Sequence, residues 1–532
     1  MTTRRWMLPV AGLMTAAALA AAVFVGCEQR FMTHPLAGRA PQAAAAREMQ
    51  PGKAHGGTSN VNDAAFDAMF FRNYGVNPYI DTDDDALSTF AVDVDTGSYT
   101  LARSYLNRGH LPPKDAVRVE EFVNYFDYDY SPPGGDDAFA IHLAAAESPF
   151  AGNRTLFRVG LKGRVIDAAD RKDAVLTFVI DVSGSMGRED RLGTVKQALR
   201  MLTEPLRPAD RVGIAIYGSR GEEYMSHKDV EHKRDILRAI DRLEPAGSTN
   251  AEEGLRIGYR MAERAFRQGA INRVILCSDG VANVGRTGPE AILKQIQAQA
   301  ARGITLSAVG FGMGNYNDVL MEQLGDKGDG HYAYVDTLDE AKRVFVENLT
   351  GTLQVIARDV KVQVEFNPAV VRSYRLIGYE NRDVADEDFR DDTVDGGEVG
   401  AGHAVTALYE LKRWPDKHGK LATVRVRYKA AEGEKVEEVA RDFRSGDASG
   451  EFAAADRQLK LAACTAQFAE ILRRSYWARG AKLADVLAVA EKCRNHYDYR
   501  QDVKELVELI EQARRLDADA ADDGAALGSL EQ

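Results

Sequence analysis

The chain has 532 residues, of which 45% are hydrophobic and 28% are charged, and its formal net charge is −12. Domains settle near about 100–200 residues, so this length indicates several domains, and the hydrophobic fraction excludes a mostly disordered chain. The negative balance argues against a nucleic-acid partner, which requires a basic face on the protein. Four cysteines in this length exclude a scaffold built on disulfides.

The first residues are typical of an export signal. Arg4 and Arg5 precede an alanine-rich apolar run, which ends at Val25-Gly26-Cys27 and is followed at once by polar residues. Residues 1–27 therefore resemble a bacterial lipoprotein signal, in which Cys27 carries the lipid and cleavage falls just before it. An uncleaved membrane anchor is the alternative, because the run is long enough to cross a hydrocarbon layer about 30 Å thick. The paired arginines also resemble a twin-arginine export signal.

Each alternative places the body of the protein in the cell envelope, tethered to a membrane and facing the periplasm or the exterior. Residues 28–66 contain an alanine run and scattered Gly, Pro, Ser and Asn, without helical or strand periodicity. We interpret them as a flexible stalk. A stalk that follows a lipid anchor would hold the next domains away from the bilayer.

Two regions on either side of the chain's centre are predicted to form antiparallel strands. The segments FAIHL (139–143) and VKVQVEF (360–366) alternate apolar with polar residues, as half-buried strands do. The regions 138–166 and 357–445 follow this rule, and together they could pair into one sandwich. After Phe452 the pattern becomes helical, and three helices are expected to end near Leu516.

From residue 174 onwards, buried strands alternate with helices. Residues 175–180 form a continuous apolar, β-rich run, and residues 192–203 place their apolar side chains on one helical face. The same unit repeats in strands at 212–217, 274–277 and 304–309, with helices near 236–243, 289–301 and 318–324. This pattern predicts an α/β fold with a doubly wound, mostly parallel sheet, whose ligand sites lie at the carboxyl ends of its strands.

Three predicted loops at that edge of the sheet carry hydroxyls and carboxylates. Their sequences are Asp181-Val182-Ser183-Gly184-Ser185, Gly247-Ser248-Thr249-Asn250 and Cys277-Ser278-Asp279-Gly280. Such oxygens are hard ligands, which suit Mg²⁺, or Mn²⁺ or Ca²⁺, rather than zinc. Because only two carboxylates converge, the ion would retain water and accept an oxygen ligand from outside.

The pattern Asp181-x-Ser183-x-Ser185, with Thr249 and Asp279 at these offsets, resembles the metal-ion-dependent adhesion site of von Willebrand factor type A domains. The resemblance implies that the two serines and Thr249 hold Mg²⁺ through their hydroxyls, and that the two aspartates act directly or through water. It also implies that a carboxylate from a protein partner takes the open position. A cluster of caps and turns without metal is the alternative.

Other segments resemble a bacterial lipoprotein family that carries such a domain. They are STFAVDVDT (88–96) and LPPKDAVR (111–118) for its N-terminal module, GFGMGNYND (310–318) for the end of its A domain, and GYENR (378–382) for its C-terminal module of unknown function. We expect an N-terminal module at 67–171, a central A domain at 172–352, a C-terminal module at 353–516 and a disordered acidic tail at 517–532. The expected fold is therefore an A-like α/β domain flanked by a β-sandwich-like region and a helical segment.

Cys464 and Cys493 lie on neighbouring predicted helices of the C-terminal module. An oxidising compartment would allow these two residues to form a disulfide, and two free thiols are the alternative.

Three functions are compatible with these residues: a cation-dependent binding module, a metal-dependent envelope hydrolase, and a metal-free scaffold subunit of an envelope complex. Hydrolysis needs acid and base groups beside the ion, and Glu189 and Asp190 are the nearby candidates in sequence. The chain contains no His-Glu-x-x-His motif and no Gly-Lys-Ser or Gly-Lys-Thr phosphate loop, and Asp181 stands where a nucleophile elbow needs glycine. We therefore expect a non-enzymatic, membrane-tethered binding protein.

Overall fold

The structure is a computed structural model that describes residues 69–280, 289–313, 316–431 and 435–530. The described residues belong to one unit, Ala54–Gln532. The expected signal, Cys27 and the stalk lie outside the described residues. Within the described ranges, no helix combines the length and the apolar character that crossing a membrane requires.

The elements of the described residues are numbered in chain order. The strands are β1 (Ile80–Asp81), β2 (Leu87–Ala91), β3 (Phe139–Glu147), β4 (Thr155–Gly163), β5 (Ala174–Asp181), β6 (Arg211–Tyr217), β7 (Gly221–Asp229), β8 (Ile271–Ser278), β9 (Ile304–Phe311), β10 (Tyr332–Val335), β11 (Val355–Phe366), β12 (Val371–Ile377), β13 (Gly397–Gly400), β14 (Ala404–Arg413), β15 (Lys420–Ala430) and β16 (Val436–Arg444). The helices are α1 (Gly97–Asn107), α2 (Val119–Asn124), α3 (Arg191–Thr203), α4 (Lys233–Asp241), α5 (Ala251–Ala265), α6 (Pro289–Ala300), α7 (Asp318–Asp326), α8 (Leu338–Lys342), α9 (Leu349–Leu353), α10 (Arg457–Leu472), α11 (Leu483–His496) and α12 (Gln501–Leu530).

The central domain is built on a sheet with the strand order β10-β9-β8-β5-β6-β7. Its strands are parallel except for β7, which pairs with β6 in the antiparallel sense. Every residue of β5 is buried. Phe178 and Ile180 pack in one core with α3 and α4, whereas Val179 packs in the opposite core with α5 and α6. Burial on both faces explains the continuous apolar run, and the predicted doubly wound, mostly parallel sheet is confirmed.

The sequence analysis did not predict strand β7. Its residues, GEEYMSHKD, show no alternation of apolar and polar side chains, and most of them are not buried. A strand at the edge of a sheet packs against one neighbour only, and natural proteins keep such edges polar and charged. An edge strand therefore leaves little trace in the hydrophobic pattern.

Strands from both sides of the central domain pair with one another, as the sequence predicted. One sheet has the order β1-β12-β14-β4-β3, and the other has the order β13-β11-β15-β16, with β2 also paired to β11. In the first sheet, β4 lies antiparallel to β14. Phe157 and Val159 of β4 share one hydrophobic core with Val362 and Val364 of β11. The two sheets thus form a sandwich, and the central domain is inserted between β4 and β11.

Two expectations for the C-terminal helices differ from the structure. Cys464 on α10 and Cys493 on α11 are buried free thiols, so the hypothesised disulfide is not formed. The Cys464 thiol instead donates to the carbonyl of Val486, at 3.6 Å, and both cysteines act as small apolar groups in a shared core. The acidic tail from residue 517 is helical up to Leu530, rather than disordered. Alanine is frequent in this stretch, and its high helix propensity favours extension of α12.

Candidate metal centre

Asp181 is the last residue of β5, at the carboxyl edge of the central sheet, and it is fully buried. The backbone N–H of Ser183 donates to its Oδ1 at 2.8 Å, and the Ser278 hydroxyl donates to its Oδ2 at 3.0 Å. Burial raises the pKa of the Asp181 carboxyl to about 6, and the neighbouring charge of Asp279 adds to this shift. The carboxylate is thus oriented by two donors in a setting that would favour a positive charge beside it.

Ser183 and Ser185 follow Asp181 at the start of a short 3₁₀ segment, Gly184–Asp190. Their hydroxyl oxygens lie 3.0 Å apart. Ser183 is buried, whereas Ser185 is partly exposed, so the pair lies between the protein interior and solvent. The structure therefore brings together three of the five predicted ligand residues through local chain geometry.

The loop that carries Thr249 lies directly against the loop of the two serines. The backbone N–H of Gly184 donates to the carbonyl of Gly247 at 2.9 Å, and that of Ala246 donates to the carbonyl of Val182 at 2.5 Å. Gly247 has a φ of +79°, and a Cβ atom there would lie 2.4 Å from the Ser219 hydroxyl. Thr249 is partly exposed in this loop. The fourth predicted ligand residue thus belongs to the same rim of the sheet.

Asp279 follows β8 and is 5% exposed. Arg191, the first residue of α3, donates from Nη1 to Oδ2 of Asp279 at 2.7 Å and from Nη2 to the carbonyl of Met313. Sequence reasoning missed Arg191. A signal was present, because a cation in the first turn opposes the helix dipole and therefore indicates a specific acidic partner.

The comparisons with known proteins agree with this architecture. Three family models match the chain: "von Willebrand factor" at residues 65–158, "von Willebrand factor type A domain" at residues 176–350, and "Uncharacterized protein YfbK, C-terminal" at residues 351–516. The uncharacterized protein YfbK of Escherichia coli (strain K12) is 34% identical over 469 residues, which cover 83% of this chain and 81% of that protein. The chain belongs to the YfbK family.

More distant likenesses are confined to part of the chain or to the fold. Human inter-alpha-trypsin inhibitor heavy chain H3 is 29% identical over 171 residues, which cover 30% of this chain and 19% of that protein. The solved structure of a von Willebrand factor type A protein from Catenulispora acidiphila covers 70% of this chain and 89% of its own, with 15% identity and a TM-score of 0.43. The descriptions of the three family models name no enzymatic activity.

Domains of the von Willebrand factor type A class often hold a divalent cation at a metal-ion-dependent adhesion site and generally mediate protein–protein interaction. The donor set in this YfbK family member fits such an ion, since it combines two carboxylates with hydroxyl oxygens. Within the described ranges, no group of three or more His, Cys, Asp or Glu side chains could hold a metal. A cation at the rim would therefore depend on the hydroxyls of Ser183, Ser185 and Thr249.

Proposed function

We propose that this protein binds a protein partner through a divalent cation at the rim of the central sheet. Ser183, Ser185 and Thr249 would hold the ion through their hydroxyls, with Asp181 and Asp279 acting directly or through water. A bound Mg²⁺, or Mn²⁺ or Ca²⁺, supplies positive charge and a coordination position that an outside oxygen can take. The open position would accept a carboxylate of the partner.

One observation carries this proposal. The hydroxyl oxygens of Ser183 and Ser185 lie 3.0 Å apart, beside the buried Asp181 carboxylate, whose two oxygens are already oriented by Ser183 and Ser278. A buried carboxylate is costly to keep ionised without a compensating charge. An ion placed against the two hydroxyls would compensate that charge.

The test measures how the stability of the full chain depends on the Mg²⁺ concentration. Thermal unfolding is recorded first in chelator and then at increasing Mg²⁺ concentrations. A ligand that binds only the folded state stabilises it by about 2.7 kcal/mol at a hundredfold excess over its dissociation constant. We expect the wild type to gain stability with Mg²⁺, and the Asp181→Ala and Asp279→Ala variants to lose this gain. Mn²⁺ and Ca²⁺ titrations would rank the ions.

Asp241→Ala is the matched control, because Asp241 is an exposed acid of the same domain that pairs with Arg200. It should keep the full response to Mg²⁺. An equal response in the wild type and in both rim variants would refute the metal site. A partner is then captured from envelope extract in Mg²⁺ and released with chelator. A released partner that is chemically unchanged indicates binding, and a cleaved one indicates hydrolysis.

The charge of the protein gives the cation a specific task. With a formal net charge of −12, the overall charge of the protein repels an acidic partner. Such repulsion is screened beyond about 8 Å at physiological ionic strength, so a local positive ion decides the interaction at contact. Attraction of a carboxylate would therefore come from the cation at the rim.

We further propose that the protein is attached to a membrane through a lipid at Cys27 and faces the periplasm or the exterior. The apolar run that ends in Val25-Gly26-Cys27 supports this attachment. In cells that produce the Cys27→Ser variant, we expect the protein to carry no lipid label. It should either leave the membrane fraction or remain in it with its signal uncleaved. Unchanged lipid labelling of the variant would contradict attachment at Cys27.

A further inference from the structure

A cavity of about 130 Å³ lies where the central domain meets the sandwich, away from the rim. Lys162 of β4, His331 before β10, Arg343 after α8 and His403 before β14 all line it. A water molecule takes about 30 Å³ in the liquid, so the cavity has room for a small polar ligand. Its walls come from both strand regions of the sandwich and from the central domain.

Two polar groups in the wall lack protein partners. The ammonium group of Lys162 makes no hydrogen bond or ion pair with any residue in the described part of the chain. The Nδ1 atom of His403 is buried and, among the described residues, has no hydrogen-bond partner either. Lys162 is partly exposed, so water can solvate its ammonium group. Buried polar groups in native proteins are normally hydrogen-bonded, and the unpaired Nδ1 of His403 therefore requires an explanation.

Two cationic side chains, Lys162 and Arg343, line the cavity although the protein as a whole is acidic. Burial, and to a smaller extent the positive charges of Lys162, Arg273 and Arg343, lower the pKa of His403 to about 4. Arg343 is paired with Glu340 and also donates to Thr96, so Lys162 is the cation left without a counter-ion.

One carboxylate lies at the edge of the cavity. Asp127 is exposed, and its Oδ1 accepts the backbone N–H of Asp129 at 2.9 Å. Its charge is therefore exposed to solvent at the edge of the cavity.

The wall beside Arg343 has an uncommon backbone. Residues Arg343–Glu347 form a π-helical turn between α8 and α9, and such turns occur often at functional sites. On the same side, Gly351 makes room for the His403 ring, because a Cβ atom there would lie 2.5 Å from Nε2. The His403 ring thus packs closely against the backbone at Gly351, and Glu340 and Thr96 hold the Arg343 side chain.

We propose that this cavity binds a phosphate group, either as free phosphate or as a small phosphate monoester. Lys162 supplies the positive charge, and His331 and His403 supply N–H donors from other sides. Burial lowers the pKa of both histidines, so both are neutral at pH 7, and Nδ1 of His331 lies 3.4 Å from the Ser307 hydroxyl, which leaves Nε2 as its donor. Donors that come from separate walls match an anion with several oxygens, and hydrogen bonds between charged groups are the strong ones. This proposal does not depend on the cation site.

The test is titration of inorganic phosphate into the full chain by calorimetry, with chelator present so that no cation at the rim contributes. Chloride at equal ionic strength is the reference. Loss of one charge-assisted hydrogen bond costs about 1.5–3 kcal/mol, so Lys162→Met should weaken phosphate binding at least about tenfold. His403→Gln should weaken it by a smaller factor.

Lys435→Met is the matched control, because Lys435 is exposed and lies outside the cavity. It should bind phosphate as the wild type does, and all variants should unfold at the wild-type temperature without phosphate. Glycerol phosphate distinguishes the sources: tighter binding than phosphate indicates a monoester, and weaker binding indicates the free anion. Absence of phosphate binding by the wild type, unchanged binding in both cavity variants, or tighter binding of succinate than of either phosphate would overturn the proposal.

Discussion

Replacing Arg118 by methionine is expected to lower the free energy of unfolding by about 3–5 kcal/mol. Arg118 donates from Nη1 to Asp318 at 2.6 Å, pairs with Glu121 through Nε, and lies 3.8 Å from Glu322. All four side chains are buried. The variant leaves Glu121 and Asp318 without this cation and leaves Glu322 with Arg382 alone. The cost of an uncompensated charge in the interior is high.

Chemical denaturation at pH 7 measures this loss. Arg242→Met is the control, because Arg242 is exposed at the end of α4, and surface substitutions usually change stability by less than about 0.5 kcal/mol. Adding Asp318→Asn to Arg118→Met removes one of the stranded charges and should recover part of the loss, which a double-mutant cycle quantifies. Equal losses at Arg118 and Arg242 would contradict a buried network.

This network joins the separate segments that resemble one family. Arg382, from the segment GYENR, pairs with Asp326 at 2.6 Å and lies 3.4 Å from Asp93 and 3.6 Å from Asp95. Its distance to Glu322 is 3.8 Å, and Glu322 is also beside Arg118. Residues from all four segments thus meet around α7. The sequence identified the segments by resemblance, but pairs that are 200 positions apart leave no local pattern that predicts their contact.

The fold was predictable where burial imposes a regular pattern. The fully buried β5 was predicted because a strand buried on both faces is apolar throughout, and α3 was predicted because its apolar side chains fall on one face. The edge strand β7 and the helical extension beyond residue 517 were not predicted. Strand β7 is mostly polar, and the extension consists mainly of Ala, Asp and Gly, so neither contributes the apolar periodicity on which such reasoning depends.

The candidate site shows the same division between local and distant information. Asp181, Ser183 and Ser185 lie within five positions, so the chain direction alone brings them together at the end of β5. The Arg191–Asp279 pair joins residues 88 positions apart, across the loop after β8. Sequence reasoning predicted a role for the Asp279 carboxylate but did not predict that the Arg191 guanidinium neutralises it.

Replacing Arg191 by methionine is therefore expected to change both stability and ion binding. Removing one member of a buried ion pair costs about 3–5 kcal/mol, so the variant should be much less stable than the wild type in chelator. The positive charge of Arg191 opposes a cation beside Asp279, and its removal should strengthen Mg²⁺ binding roughly tenfold. Unfolding in chelator and in Mg²⁺ measures both effects.

Arg200→Met is the control on the same helix, because the Arg200–Asp241 pair is almost half exposed and such pairs contribute about 0–1 kcal/mol. In Mg²⁺ the difference in the free energy of unfolding between Arg191→Met and the wild type should become smaller. The ion then supplies the positive charge that Arg191 no longer places beside the Asp279 carboxylate. For Arg200→Met this difference from the wild type should be small, and it should be the same in chelator and in Mg²⁺. If Mg²⁺ stabilises Arg191→Met no more than the wild type, Asp279 does not contribute to a cation site, and Arg191 serves only to fix α3 against the loop after β9.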